Sequence, residues 1–319
     1  MSKIVITDSN INHKRYGGSS QKFGVTLNGV DYIVKLPEKG DFSVYSEYIA
    51  SNIIRKLGYD VHEVYIAEYQ GMFSNNIAMR VSLLRDFLDS GYSLHEFSET
   101  KQSSETTPLE NKQYTYTDIV DMINKHTKLI PELKPVMIKQ FWTQFVCDAI
   151  LANRDRHGGN WGYIVTSDKR YIPAPIYDNG NSLFPAINSK EMELKGLRTR
   201  DDIYNFCKER VYTFPACIIM KYNPSLGRLS RTNYADMMKD FRLYPVMAEV
   251  VRELKSRISV ECLMGIVYSI VNNCTDLDIV YKRFYIFIVC LRYACLVCKE
   301  PYDRAFNKVY NLAQKHKII

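Results

Sequence analysis

The chain has 319 residues, 46% hydrophobic and 24% charged, a composition typical of a globular protein with enough apolar material for a packed core. The N-terminus shows no secretory signal, and the longest apolar stretch, Phe284 to Cys298, is interrupted by Arg292 and is shorter than the roughly 18 to 20 residues of a membrane span. The net charge of +7 is scattered, without the aromatic-interleaved basic stripe of a nucleic-acid site. We therefore expect no membrane-spanning segment and no direct nucleic-acid partner.

The eight cysteines lie mostly inside apolar runs. This distribution is typical of core thiols in a reducing compartment rather than of a disulfide framework. The composition therefore predicts a cytoplasmic protein, with export by a route that needs no signal peptide left open.

The first part of the chain is predicted to consist mainly of strands. The segment KFGVTLNGVDYIVKLP contains Asn28-Gly29, a strong signal for a two-residue hairpin turn. One helix follows, with Ser43 as its expected N-cap and Gly58 as its stop, and VYIAEY and NIAMRVSLL predict two more strands. Residues 1–84 are therefore predicted to form a small sheet-rich lobe with one helix.

A polar segment rich in serine and threonine comes next, from Phe97 to Asp118, and predicts a hinge and connection over residues 85–118. Beyond it the apolar residues recur mainly at helical spacing, and PVMIKQFWTQFVCDAILAN predicts a buried helix. The fold class is therefore α+β, with a larger, mainly helical lobe over residues 119–319.

Three oxygen-bearing side chains follow this buried helix. Asp155 and Asn160 lie five positions apart in the loop NRDRHGGN, and Asp178 follows a predicted strand-turn-strand segment. Phosphoryl transfer needs such a set, because one carboxylate faces the acceptor hydroxyl while an amide oxygen and a second carboxylate hold Mg²⁺ against the phosphates. The spacing DxxxxN alone is a weak signal, but the Asp-x-Gly that follows it makes the prediction much stronger.

The first lobe gives an independent test of this interpretation. A kinase small lobe needs a glycine-rich loop, then a strand lysine for the phosphates, then a helix glutamate that holds the lysine. The chain offers YGGSSQKFGV, Lys35 and Glu47 in that order. We therefore predict that Lys35 and Glu47 form an ion pair that clamps the nucleotide.

These pieces together resemble the HipA-like serine/threonine kinases. The matching segments are GGSSQK, YIVKLP, EYIASNIIRKLG, NRDRHGGNWG and IPAPIYDNG, within residues 16–180. The resemblance implies a bilobed protein-kinase-like fold, ATP and Mg²⁺ as cofactors, and transfer to serine or threonine hydroxyls. It also implies a protein substrate, with autophosphorylation left open.

The resemblance assigns roles to the residues of the second lobe. Asp155 matches the family's catalytic base, and Asn160 and Asp178 match its Mg²⁺ ligands. His157 belongs to the DxHxxN pattern and is expected to brace the loop.

The resemblance likewise places the nucleotide contacts in the first lobe. Lys35 matches the phosphate-binding lysine, and Glu47 is its expected partner. The full set of candidate nucleotide-binding residues is Gly17, Gly18, Ser19, Ser20, Lys22, Lys35, Val81 and Leu83.

Two alternatives to a protein kinase stay open. A lipid or small-molecule phosphotransferase of the same fold would use the same catalytic residues, and the sequence does not identify the acceptor. A catalytically inactive nucleotide-binding or scaffolding module is disfavoured because Lys35, Asp155, Asn160 and Asp178 are all present.

Overall fold

The fold is known from a computed structural model of the chain. It describes residues 4–17, 20–37, 42–88, 91–100, 114–187, 191, 195–213, 215–240 and 242–319. A sheet-rich small lobe precedes a larger helical lobe, as the sequence predicts.

The small lobe is built on a five-stranded sheet with the strand order β1-β4-β5-β3-β2. Its strands are β1 (Val5–Thr7), β2 (Lys22–Leu27), β3 (Val30–Lys35), β4 (Val64–Gln70) and β5 (Met79–Arg85). Asn28 and Gly29 both have positive φ, as the two-residue turn requires, so the predicted hairpin is confirmed. Its register places Lys22 opposite Lys35.

The helix of the small lobe is α1 (Ser43–Lys56). It begins at Ser43 itself, after Phe42 and without a side-chain cap, so the predicted N-cap at Ser43 is wrong. The aromatic ring of Phe42 stacks on Tyr281 of the large lobe, with ring centroids 4.4 Å apart, so the residue before the helix packs against the large lobe. Gly58 follows the helix with a φ of 86°, as the predicted stop requires.

Helix α1 lies between the sheet and the large lobe. Ten of its 14 residues are buried, which is far more than the single apolar stripe of a surface helix. On the side of the large lobe, the Tyr45 hydroxyl donates a hydrogen bond to Asp276 over 3.1 Å, and Asp276 also pairs with Arg80 of β5. The helix that presents Glu47 is therefore held from both sides.

The large lobe is mainly helical. Its helices are α2 (Tyr116–Lys125), α3 (Leu133–Leu151), α4 (Arg200–Val211), α5 (Tyr234–Lys239), α6 (Pro245–Arg257), α7 (Val260–Asn272), α8 (Ile279–Arg292) and α9 (Tyr302–Lys315). Single helical turns occur at Asp8–Asn10, Met72–Ser74 and Phe97–Glu99, and a π turn at Tyr293–Val297. The predicted inner face of α3 is confirmed, because Met137, Phe141, Phe145 and Ala149 are all buried.

Two small sheets interrupt the helices. One contains β6 (Ser93–Glu96), β7 (Gly162–Val165) and β8 (Tyr171–Pro173), and the other pairs β9 (Pro215–Asn223) with β10 (Arg228–Asn233). The β7–β8 hairpin is the predicted strand-turn-strand segment. The β9–β10 hairpin was not predicted, since β9 contains the continuous apolar run ACIIM and lacks the strict alternation of a half-buried strand.

The apolar stretch near the end of the chain forms α8 and the following π turn, as a buried helix. Arg292 lies in the core with 1% exposure, where its guanidinium donates to carbonyl oxygens at the ends of α3 and α4: Ala149, Arg210 and Val211. Those carbonyls carry the negative end of the helix dipoles, so they stabilise the buried cation. Within the described ranges, no helix has the length and apolarity that crossing a membrane requires.

Candidate active site

The three charged groups predicted for the nucleotide site meet between the lobes. The Lys35 ammonium lies 3.1 Å from Oε2 of Glu47 and 2.6 Å from Oδ1 of Asp178. The expected ion pair between Lys35 and Glu47 is therefore present, and it also reaches the residue expected to bind the metal. Burial lowers the pKa of Lys35, but the charges of Glu47 and Asp178 outweigh that effect, and the net pKa lies above its ordinary value.

Glu47 is buried, with 1% exposure, and both of its carboxylate oxygens have partners. Oε1 accepts a 2.6 Å hydrogen bond from the backbone N–H of Asn179 and lies 3.2 Å from Nε2 of His62. Burial opposes ionisation, but Lys35 and His62 hold the pKa of Glu47 below its ordinary value. The glutamate therefore stays charged in the core and fixes the direction of the lysine.

A second lysine faces the same cleft. Lys22 lies directly opposite Lys35 in the antiparallel pair of β2 and β3, so both side chains project from the same face of the sheet. Burial and the charge of Lys35 lower the pKa of Lys22. Like charges directly opposite each other are destabilising, and the nearby carboxylates of Asp178 and Glu47 offset part of this repulsion.

The loop after α3 brings the predicted catalytic residues together. The Asn160 amide nitrogen donates to the backbone carbonyl of Asp155 over 2.9 Å, and the Gly159 N–H donates to Nδ1 of His157 over 3.1 Å. His157 therefore closes a turn inside the loop, in agreement with the expectation that it braces it. The Asp155 carboxylate is half-buried and accepts a 3.0 Å hydrogen bond from the Asn181 side chain.

A buried arginine joins this loop to the segment that contains Asp178. Arg156 is 2% exposed and pairs with Asp148 of α3 through two hydrogen bonds of 3.0 and 3.1 Å. It also donates to the Asn160 carbonyl over 2.9 Å, to the Asn179 side chain over 2.6 Å and to the Tyr177 carbonyl. Burial lowers the pKa of Arg156, but Asp148 outweighs that effect, and the net pKa lies above its ordinary value.

Asn179 completes the link between the lobes. Its backbone contacts Glu47, and its side-chain nitrogen donates to Ser51 of α1 over 2.9 Å. One continuous set of hydrogen bonds therefore runs from Asp148 in the large lobe through Arg156 and Asn179 to α1 in the small lobe.

This network was not predicted, although the sequence contains two signals of it. Asp148 is a carboxylate within the apolar segment FVCDAIL that ends its helix, and a buried carboxylate needs a partner. The segment DNGN, from Asp178 to Asn181, contains two asparagines whose amides fit hydrogen-bonding roles.

The donor set fits Mg²⁺ shared with phosphates. Asn160 and Asp178 offer an amide oxygen and a carboxylate, the hard ligands that Mg²⁺ prefers. The amide nitrogen of Asn160 is turned to the Asp155 carbonyl, which leaves the amide oxygen for a metal. Asp178 has a left-handed backbone with a φ of 57°, a conformation that aspartate tolerates better than most residues.

Such a site would take its other ligands from phosphate and water. Within the described part of the chain, no three His, Cys, Asp or Glu side chains group closely enough to hold a metal ion by themselves. Mg²⁺ in phosphoryl-transfer sites is typically held by one or two protein oxygens, substrate phosphates and water.

Val81 and Leu83 do not lie in the cleft. In β5, Leu83 is opposite Val34 while Ser82 is opposite Lys35, and side chains alternate between the two faces of a strand. Val81 and Leu83 are both almost fully buried in the apolar cluster on the face of the sheet that lies away from Lys35. The prediction that they contact the nucleotide is therefore corrected.

The remaining residues of the phosphate loop are placed only in part. Gly17 is exposed and Ser20 is half-buried, and both lie in the segment that leads to Lys22. Gly18 and Ser19 lie outside the described residues, so their predicted contacts with the phosphates stay predictions.

Comparison with known proteins gives concordant matches. The family described as HipA-like C-terminal domain matches residues 15–258. The chain is 28% identical to serine/threonine-protein kinase CtkA of Helicobacter pylori (strain J99) over 330 residues, which covers 99% of this chain and 92% of that protein. Its structure is similar to the crystal structure of the Helicobacter pylori proinflammatory kinase CtkA, with a TM-score of 0.75 and 26% identity, over 98% of this chain and 99% of that one.

Proposed function

The chain belongs to the HipA-like C-terminal domain family and is a serine/threonine-protein kinase by class, and from this premise we propose that it transfers the γ-phosphoryl group of ATP to protein hydroxyls. The observation that supports the proposal best is the meeting of Lys35 with Glu47 and Asp178, at 3.1 and 2.6 Å. This contact joins the phosphate-binding strand, α1 and the metal-binding segment in one place.

The two lysines of the cleft bind and orient the nucleotide. Lys35 reaches the phosphates as a compact charge whose direction Glu47 fixes. Lys22, on the same face of the sheet, adds a second positive charge beside it. Because the transferring group needs positioning and charge neutralisation more than covalent help, such a pair contributes directly to the rate.

The loop residues handle the acceptor and the metal. Asp155 accepts the proton of the serine or threonine hydroxyl and holds that hydroxyl in line with the γ-phosphorus. Asn160 and Asp178 hold Mg²⁺, which neutralises charge on the phosphates when it is bound.

The experiment that tests the proposal uses the whole chain with ATP labelled at the γ-phosphate, Mg²⁺ and a generic protein acceptor. Transfer of label to serine or threonine, identified by phosphoamino-acid analysis, is the expected result. Asp155→Ala should keep ATP affinity while lowering turnover by about 10²- to 10⁴-fold, the range for a general base.

Other outcomes would contradict specific parts of the proposal. Turnover of Asp155→Ala close to that of the unmodified protein would remove Asp155 as the base. Label that appears only on an added lipid or small molecule would assign the chain to the alternative phosphotransferase class. Nucleotide binding without any transfer would indicate a binding module instead.

A further inference from the structure

The base of the proposed reaction has a side-chain partner that no motif assigns. The Asn181 amide nitrogen lies 3.0 Å from Oδ2 of Asp155. A carboxylate only accepts hydrogen bonds, so the amide must present its nitrogen to it. No other side chain among the described residues donates a hydrogen bond to this carboxylate.

The backbone around Asn181 is fixed by the end of α3 and the loop that follows it. The Leu183 N–H donates to the Leu151 carbonyl over 2.8 Å, and the Arg154 N–H approaches the Asn181 carbonyl at 3.5 Å. The segment is also held by Asn179, whose side chain contacts the buried Arg156. These contacts hold the backbone of the segment in place, so the side-chain amide of Asn181 is directed at Asp155.

In this geometry the two oxygens of the Asp155 carboxylate have different roles. The Asn181 amide occupies Oδ2 and fixes the rotation of the carboxylate, which leaves Oδ1 to receive the acceptor hydroxyl.

We propose that Asn181 is a positioning residue that orients the base Asp155 during phosphoryl transfer. This inference rests on the proposed kinase function. In the step it supports, the acceptor hydroxyl gives its proton to Oδ1 of Asp155 while its oxygen bonds the γ-phosphorus. The bond from that phosphorus to the bridging oxygen breaks, and ADP leaves with the electron pair.

Two variants separate this role from a merely structural one. Asn181→Ala removes the donor, whereas Asn181→Asp keeps the size of the side chain but places a second carboxylate beside the base. If Asn181 orients Asp155 through its amide N–H, the aspartate variant must be the worse of the two, because a carboxylate cannot donate a hydrogen bond and repels the carboxylate of the base. If Asn181 only shapes the turn, the similar-sized aspartate must be the milder change.

The kinetic readout is kcat and the KM for ATP, measured at one neutral pH. We expect Asn181→Ala to lower kcat by about 10- to 100-fold, a part of what a general base contributes, with little change in the KM for ATP. Asn272→Ala, at an exposed position at the end of α7, is the matched control and should leave both quantities unchanged.

A kcat of Asn181→Ala equal to that of the unmodified protein, or a milder effect in Asn181→Asp than in Asn181→Ala, would overturn the role of Asn181. Failure of the unmodified protein to transfer phosphate would instead refute the proposed function.

Discussion

Replacing Glu47 by glutamine tests the negative charge that pairs with Lys35 and accepts a hydrogen bond from Asn179 of the large lobe. The variant keeps the shape of the side chain but leaves Lys35 with Asp178 alone. Removing one partner of a buried ion pair typically costs about 3 to 5 kcal/mol. Because Asp178 remains 2.6 Å from the lysine, we expect Glu47→Gln to lower the free energy of unfolding by about 2 to 4 kcal/mol.

The sign of the pH dependence follows from the pKa of Glu47. Lys35 and His62 hold this pKa below its ordinary value against the effect of burial, so the carboxylate stabilises the fold at neutral pH. That contribution decreases as the pH falls below about 4.3, the usual pKa of glutamate in an unfolded chain. The difference between the unmodified protein and Glu47→Gln should therefore be constant near neutral pH and shrink on acidification.

Urea denaturation at several pH values measures this difference directly. Glu63→Gln is the matched control, because Glu63 pairs with Arg85 at 3.3 Å on the exposed surface of the same lobe, where an ion pair contributes at most about 1 kcal/mol. Turnover of Glu47→Gln should fall more than its affinity for ATP, since the lysine keeps its charge but loses its direction. A loss of stability no larger than that of Glu63→Gln, together with unchanged turnover, would refute the reasoning.

Two further substitutions test the clamp and the second lysine. A Cβ added at Gly180 would lie 2.9 Å from Oε2 of Glu47 and 3.4 Å from Nζ of Lys35, so Gly180→Ala should lower turnover. Gly265→Ala is the control, because the new Cβ there meets no atom within 4 Å. Normal turnover of both variants would contradict the prediction. Burial lowers the pKa of Lys22. ATP affinity should therefore decline as the pH rises through the pKa of Lys22, because the lysine loses its positive charge. Arginine keeps its charge there, so Lys22→Arg should abolish the decline in a fluorescence titration, and an equal decline in both proteins would exclude Lys22 as its cause.

Much of the candidate site was predictable because its residues occur in short, ordered motifs. The hairpin signal at Asn28-Gly29 fixed the register of β3, and helical spacing identified α1 as the element that offers Glu47. These are local patterns, in which the chemistry of neighbouring residues decides the conformation.

The parts of the candidate site that were not predicted from the sequence depend on contacts between distant segments of the chain. Asp148 and Arg156 look unrelated until α3 and the loop fold back on each other, and the role of Asn179 requires both lobes to be in place. The error at Val81 and Leu83 has a similar origin, since an apolar strand has two faces and only the pairing with β3 shows which one meets the cleft.

The position of α1 has a consequence for inhibitor design. A compound that needs this helix to swing outward must separate the stacked rings of Phe42 and Tyr281, break the contacts of Asp276 and expose core side chains to water. Such a displacement is strongly unfavourable, so molecules of that kind should bind this protein poorly. Compounds that leave the helix in place and contact Lys22 and Lys35 on their shared face of the sheet require no such displacement.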